Sequence, residues 1–66
     1  MDTADEYEAV AEFCAIWSNV HGSAPWPIPL DISPECEASI VDDMPAFQER
    51  VRAYQYAIAM DRVNVD

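Results

Sequence analysis

The residues of this chain that could do chemistry are one histidine and two cysteines. His21, Cys14 and Cys36 could supply three ligands to a zinc ion. However, the C-x₂-C and H-x₃-H spacings of zinc sites are missing, and structural zinc usually takes four ligands. His21 precedes Gly22 at the end of a predicted helix, where the helix dipole favours a protonated imidazole. We expect a structural or capping His21, thiols packed in the core, and no metal or other cofactor; a disulfide is the alternative for the cysteines.

Paired carboxylates are the second possible source of chemistry. Asp42 and Asp43 are adjacent and suggest acid/base catalysis or Ca²⁺ binding. The Ca²⁺-loop pattern D-x-[DN]-x-[DN]-G is absent, and a chain with a single glycine cannot form the usual Gly-rich phosphate loop. No set of nucleophile, base and orienting group is recognisable. We therefore expect that the protein is not an enzyme.

The charge of the chain is its main functional clue. Thirteen acidic residues face three arginines and no lysine, which gives a net charge of −10 on 66 residues. Such a field attracts a basic partner and opposes direct binding to nucleic acid or to an anionic membrane. A halophilic origin or a solubilising role is the alternative explanation of this acidity.

The bulk composition predicts one small folded domain over residues 1–66. Its hydrophobic share of 52% is too high for an acidic disordered tail. No apolar run approaches the roughly 20 residues that span a bilayer. The first ten residues are acidic, whereas a signal peptide starts with basic residues. We therefore expect a cytoplasmic protein with reduced thiols.

Three helices are predicted, which makes the fold class all-α. The first covers residues 3 to about 21, with Thr3 and Glu6 as a capping box and Gly22 as its stop. Its buried stripe comprises Tyr7, Val10, Cys14 and Trp17. The second is short and starts at Ser33 as N-cap and Pro34 as first residue. Its residues expected to face the core are Cys36, Ile40 and Val41.

The third helix has the clearest periodicity. It begins around Asp43, which is the expected N-cap, and ends near Met60. Its buried stripe comprises Phe47, Val51, Tyr54 and Ile58. The three helices should form a compact mini-domain.

A proline-rich connector over residues 23–32 links the first two helices. Its three prolines alternate with Trp26, Ile28 and Leu30. Because proline fixes its own φ and extends its predecessor, we expect an extended segment that packs these apolar side chains on the helices. A polyproline ligand is the alternative, but P-x-x-P spacing is absent.

A row of carboxylates follows the face of the first helix opposite its buried stripe. Asp5, Glu8 and Glu12 rise by about 4.5 and 6 Å along the axis. Neighbouring phosphates of a nucleic-acid strand are spaced on the order of 6–7 Å, so rigid carboxylates could imitate them. The predicted partner-binding residues are these three with Glu35, Asp42 and Asp43.

In size, acidity and helix content the chain resembles small phage-encoded inhibitors of bacterial defence, including acidic DNA-mimic anti-CRISPR proteins. The residues that carry the resemblance are the same six acids. The resemblance implies no enzymatic activity and no cofactor. It also implies a basic DNA-binding protein or nuclease complex of the host as partner, plausibly a CRISPR effector complex, reached in the host cytoplasm.

The alternative function is a small helical interaction module that binds through an apolar patch. Such a module would act as an adaptor, an antitoxin-like partner or an assembly protein. Large exposed apolar areas mark interfaces. The candidate residues for this patch are Phe13, Ile16, Trp26, Tyr56 and Met60. Both a monomer and a homodimer are compatible with the sequence.

Overall fold

A computed structural model describes residues 3–64 of the chain and contains three helices. They are α1 over Thr3–His21, α2 over Pro34–Asp42 and α3 over Met44–Asn64. No strand occurs in this range. The predicted all-α, three-helix fold is confirmed, with α3 continuing to Asn64 beyond the expected end near Met60.

The predicted signals that separate α1 from α2 are confirmed. Gly22 has φ +78°, and its N–H donates to the Ser18 carbonyl at 2.8 Å. Only glycine adopts this left-handed conformation without steric cost, so the helix stops there. Ser33 is the N-cap of α2, since its hydroxyl accepts the Cys36 N–H at 3.1 Å, and Pro34 follows as the first helical residue.

A single residue, Asp43, joins α2 to α3. Its N–H donates to the Ser39 carbonyl at 3.1 Å, which closes the last turn of α2. Its carbonyl accepts the Phe47 N–H at 2.8 Å, which opens α3. The prediction that Asp43 caps α3 is confirmed at the level of the backbone.

The contacts between α1 and α3 indicate that the two helices run in the same direction. Tyr7, near the start of α1, packs edge-on against Phe47, near the start of α3, with ring centroids 5.3 Å apart. Further along both helices, Glu12 of α1 lies close enough to Tyr54 of α3 for its charge to help raise the pKa of that phenol, after the hydrogen bond to Glu8 and burial. The connector must therefore bring the chain back along α1 before α2 and α3 begin.

The core lies where the three helices meet. It is built from eight buried residues, of which Phe47 and Ile40 are the largest that are fully enclosed. Tyr54 and Ile58 are half-buried and pack against it, which confirms the predicted α3 stripe. The buried residues are Val10, Ala11, Cys14, Ala15, Cys36, Ile40, Phe47 and Val51.

Two residues predicted to face inward do not. Val41 is 64% exposed, because a helix turns by 100° per residue and only Cys36 and Ile40, four apart, share the stripe that reaches the core. Trp17 is half-buried and stacks on His21 with centroids 4.2 Å apart. The smaller Ser18, 8% exposed, takes the buried position at that level of α1.

The predicted capping box at the start of α1 is also wrong. Thr3 is the first residue of the helix itself, and both carboxylate oxygens of Glu6 accept hydrogen bonds from Ser33. A contact with a residue far along the chain has replaced the local one.

The connector, residues 22–33, contains no helix or strand. Ile28, Leu30 and Ile32 pack against the core, and Pro25 is buried. Trp26 is 44% exposed, although its ring lies 6.0 Å from that of Phe47. Of the three side chains expected to pack on the helices, Ile28 and Leu30 do so, whereas Trp26 stays partly exposed.

Candidate protein-binding surface

Most of the acidic residues lie on the surface. Within residues 3–64, nine acids are exposed, whereas Glu6 and Glu8 are half-buried. The three arginines Arg50, Arg52 and Arg62 are all exposed, and Arg50 forms an ion pair with Glu8. The negative charge is therefore largely uncompensated by neighbouring cations. The nine exposed acids are Asp5, Glu12, Asp31, Glu35, Glu37, Asp42, Asp43, Glu49 and Asp61.

Five of the six predicted site residues belong to this exposed set. Asp5 and Glu12 are seven positions apart on the outer face of α1, as Glu35 and Asp42 are on α2. Asp43 lies at the joint of α2 and α3; burial raises the pKa of Tyr7, and the nearby charge of Asp43 raises it further. Ser33, two residues before Glu35, contacts Glu6. Asp43 and the start of α2, which carries Glu35, thus lie near the first turns of α1, the helix that carries Asp5 and, further along, Glu12.

Glu8, the sixth predicted site residue, does not project freely into solvent. Its Oε1 forms an ion pair with an Arg50 guanidinium nitrogen at 2.7 Å, and its Oε2 accepts a hydrogen bond from the Tyr54 hydroxyl. This contact holds α1 against α3 and cancels one negative charge. The expectation that Glu8 points away from the rest of the protein is wrong, and no local sequence pattern indicates its partners, which lie more than 40 positions along the chain.

The Glu8 contact also changes the acidity of its partner. The hydrogen bond to Glu8 and, after it, burial raise the pKa of Tyr54. Tyr54 therefore remains a neutral donor to Glu8 at neutral pH.

Glu6 has a structural role as well. Its carboxylate accepts the Ser33 N–H at 2.8 Å and the Ser33 hydroxyl at 2.7 Å. These bonds, the backbone one first, lower the pKa of Glu6. Sequence reasoning missed this role, because no local pattern links two residues 27 positions apart.

The two thiols are enclosed in the core. Cys14 and Cys36 are free and buried, as predicted for small hydrophobic core residues. Burial raises the pKa of both, and the charge of Glu6 raises that of Cys36 further. A neutral, inaccessible thiol is a poor nucleophile and a poor metal ligand. Over residues 3–64 no three His, Cys, Asp or Glu side chains are grouped so as to hold a metal ion.

Large apolar side chains are exposed on each of the three helices and on the connector. Of the predicted patch, Ile16, Trp26, Tyr56 and Met60 are 41–69% exposed and Phe13 is half-buried. They belong to α1, the connector and α3. Sequence reasoning missed two further exposed residues, Val20 at 65% and Val41 at 64%. On α1, Ile16 and Val20 lie one turn apart and form an outward apolar strip.

Two surface cavities complete the candidate site. One, of about 340 Å³, lies between the connector and α2 and includes Trp26 and Met44. The other, of about 310 Å³, lies between α1 and α3 and includes Ser18 and Arg52.

In the described part of the chain, no helix has the length and apolar character needed to cross a membrane.

Comparisons with known proteins found no matching family model, no similar curated protein and no similar solved structure.

Proposed function

We propose that this protein is a non-enzymatic inhibitor that binds a basic nucleic-acid-binding surface of another protein by presenting negative charge in place of nucleic acid. The observation that carries the proposal is the imbalance of exposed charge. Nine exposed acids stand against three exposed arginines, and one of these, Arg50, is paired with Glu8. A basic surface is the complement of such a field.

The acids act together rather than singly in this mechanism. An exposed ion pair contributes only about 0–1 kcal/mol. The field of the whole surface nevertheless steers association and can raise the rate of encounter by orders of magnitude. Inhibition then requires a stoichiometric complex and no turnover.

The proposed contact residues are Asp5, Glu12, Glu35, Asp42 and Asp43, all of which are exposed. Glu8 belongs to this mechanism in another way, because it holds α1 on α3 while Arg50 compensates its charge. Because the chain resembles DNA-mimic inhibitors, the target we propose is a CRISPR effector complex. Any partner that normally binds DNA phosphates with lysine and arginine would meet the same requirement.

The experiment that tests this function compares two double variants with the same change in charge. Wild type, Asp5→Lys with Glu12→Lys, and Glu49→Lys with Asp61→Lys are immobilised and exposed to host lysate at low and high salt. We expect the wild type to capture a DNA-binding protein at low salt. The α1 variant should lose it, while the α3 variant should retain more of it. Equal capture by all three proteins would contradict the proposal.

A second candidate function is an interaction module that binds through apolar contacts. The observation in its favour is the α1 strip, where Ile16 is 48% and Val20 65% exposed. Such a module would keep its partner at high salt and lose it in an Ile16→Ser, Val20→Ser variant. The acidic-surface mechanism predicts the opposite response to both changes.

A further inference from the structure

The cavity between the connector and α2 has walls of a consistent chemical character. Its volume is about 340 Å³. Aliphatic and aromatic side chains form most of its lining, and the charged members are two carboxylates, one on each wall. We call it the connector cavity; it is lined by Trp26, Pro27, Ile28, Leu30, Asp31, Ile32, Glu37, Ile40, Val41 and Met44.

The apolar part of the connector cavity is accessible to a side chain of another protein. Trp26 is 44% and Val41 64% exposed, so large apolar surfaces at the cavity meet water in the free protein. Ile40 lies at the bottom and is only 2% exposed. An apolar side chain that entered would remove part of this apolar surface from water, which is favourable.

The two carboxylates restrict which kind of protein segment can bind in this cavity. Asp31 on the connector and Glu37 on α2 are both exposed, and neither lies in an ion pair within residues 3–62. An apolar group with no charge would leave them unpaired, and an acidic segment would be repelled. A segment that carries an apolar side chain with arginine or lysine beside it satisfies both the walls and the carboxylates.

We propose that the connector cavity seats one apolar side chain of a basic segment of the partner protein, with flanking cationic side chains directed to Asp31 and Glu37. This inference rests on the proposed function, since it supplies the partner's basic surface with a fixed point of attachment. A second copy of this chain is disfavoured as occupant, because it would bring a further charge of −10 to the same place.

An apolar anchor of this kind would give the complex a slow dissociation rate and a fixed register, which surface charge alone does not provide. Steering raises the rate of association, whereas a buried apolar contact slows dissociation and fixes the register. The complex would then dissociate more slowly at low salt than one held by surface charge alone.

Trp26 provides a direct reporter for the test. A Trp17→Phe substitution removes the other tryptophan, which lies on α1 against Phe13 and His21. The probes are two synthetic peptides of equal length and charge, one alternating arginine with leucine and the other arginine with serine. We expect the leucine peptide to bind roughly tenfold more tightly, as burial of one leucine allows, and to shift the emission of Trp26.

Matched variants locate the effect. Val41→Ser should remove most of the preference for the leucine peptide, whereas Val20→Ser, at an equally exposed valine on α1, should leave it unchanged. Asp31→Asn with Glu37→Gln should weaken both peptides more than Glu49→Gln with Asp61→Asn does. These four positions are exposed, so the fold should tolerate the substitutions.

Three results would overturn the inference. If both peptides bind equally well, the acidic surface binds cations without an anchor, and the proposed function stands alone. If Val20→Ser rather than Val41→Ser removes the preference, the anchor lies on the α1 strip. If the free protein sediments as a dimer that Val41→Ser dissociates, the cavity belongs to a self-interface. If neither peptide binds at low salt, the proposed function fails together with this inference.

Discussion

Both carboxylate oxygens of Glu6 accept hydrogen bonds from one residue, Ser33, which lies 27 positions further along the chain. The Ser33 hydroxyl in turn accepts the Cys36 N–H and caps α2. The first turn of α1 is therefore connected to the first turn of α2 through a single serine. This relay fixes the place to which the connector must return.

We expect Glu6→Gln to lower the thermal midpoint, because an amide offers one acceptor oxygen instead of two. Asp5→Asn is the matched control, since Asp5 is the adjacent acid and is exposed. Circular dichroism melts of the two variants at neutral pH provide the measurement. An equal midpoint for both variants would show that the relay contributes nothing to stability.

The same relay predicts how stability depends on pH. The Ser33 hydrogen bonds hold the pKa of Glu6 below its ordinary value of 4.5. The contribution of Glu6 is therefore complete above pH 4.5 and is lost as the pH falls through the lowered pKa. Urea unfolding between roughly pH 3 and pH 7 should show a decline at the acidic end that is smaller in Glu6→Gln. Parallel curves would argue against this assignment.

The Tyr54 hydroxyl should stabilise the contact of α1 with α3. Tyr54→Phe removes its hydrogen bond to Glu8 and should lower the free energy of unfolding by about 1 kcal/mol, with Glu8 half-exposed and partly solvated. Tyr56→Phe is the control, because Tyr56 is 69% exposed. Because the pKa of Tyr54 is raised, this contribution should persist at neutral pH and disappear as the pH rises through that pKa. Equal losses in the two variants would refute the role given to Tyr54.

Phe47 is the largest fully enclosed side chain and contacts both Tyr7 and Trp26. Phe47→Ala should cost about 3–5 kcal/mol. Because a domain of this size is only marginally stable, this loss should leave the chain largely unfolded at room temperature. Tyr56→Ala should leave the helical circular dichroism signal unchanged. A cooperative melt of Phe47→Ala near that of the wild type would contradict the description of the core.

The thiols should react only when the protein opens. Burial keeps Cys14 and Cys36 neutral and inaccessible. Modification with a thiol-specific disulfide reagent should therefore be slow in buffer and should reach two equivalents in denaturant. Rapid reaction of the folded protein, or a mass 2 Da below the reduced value, would contradict free buried thiols.

The sequence predicts those parts of the fold that depend on local chemistry. Gly22, the Ser33–Pro34 start and the stripe from Phe47 to Ile58 all follow from backbone geometry or periodicity, and all are confirmed. Glu6 and Glu8 escaped prediction because their partners are 27 and more than 40 positions away. In both cases a carboxylate predicted to act locally or in solvent is used in a tertiary contact.

The candidate site was also predictable from the sequence only in part. Exposure of Asp5, Glu12, Glu35, Asp42 and Asp43 follows from helix periodicity and charge, and the structure places all five at the surface. The connector cavity could not be predicted, because its walls meet only after the chain has folded back on α1. Val41 was wrongly predicted to face inward for a different reason, because a step of one residue round a short helix decides which side chains reach the core.

The most direct test of the acidic-surface mechanism is competition with DNA for the captured partner. A labelled duplex bound by that partner is titrated with wild type and with the Asp5→Lys, Glu12→Lys variant, at ionic strengths from roughly 0.1 M to 1 M, where the Debye length falls from about 10 Å to about 3 Å. The mechanism predicts stoichiometric release of the duplex by the wild type at low salt, little release by the variant, and weaker binding of the inhibitor as salt rises. A ternary complex in which partner, duplex and this protein are bound together would contradict it.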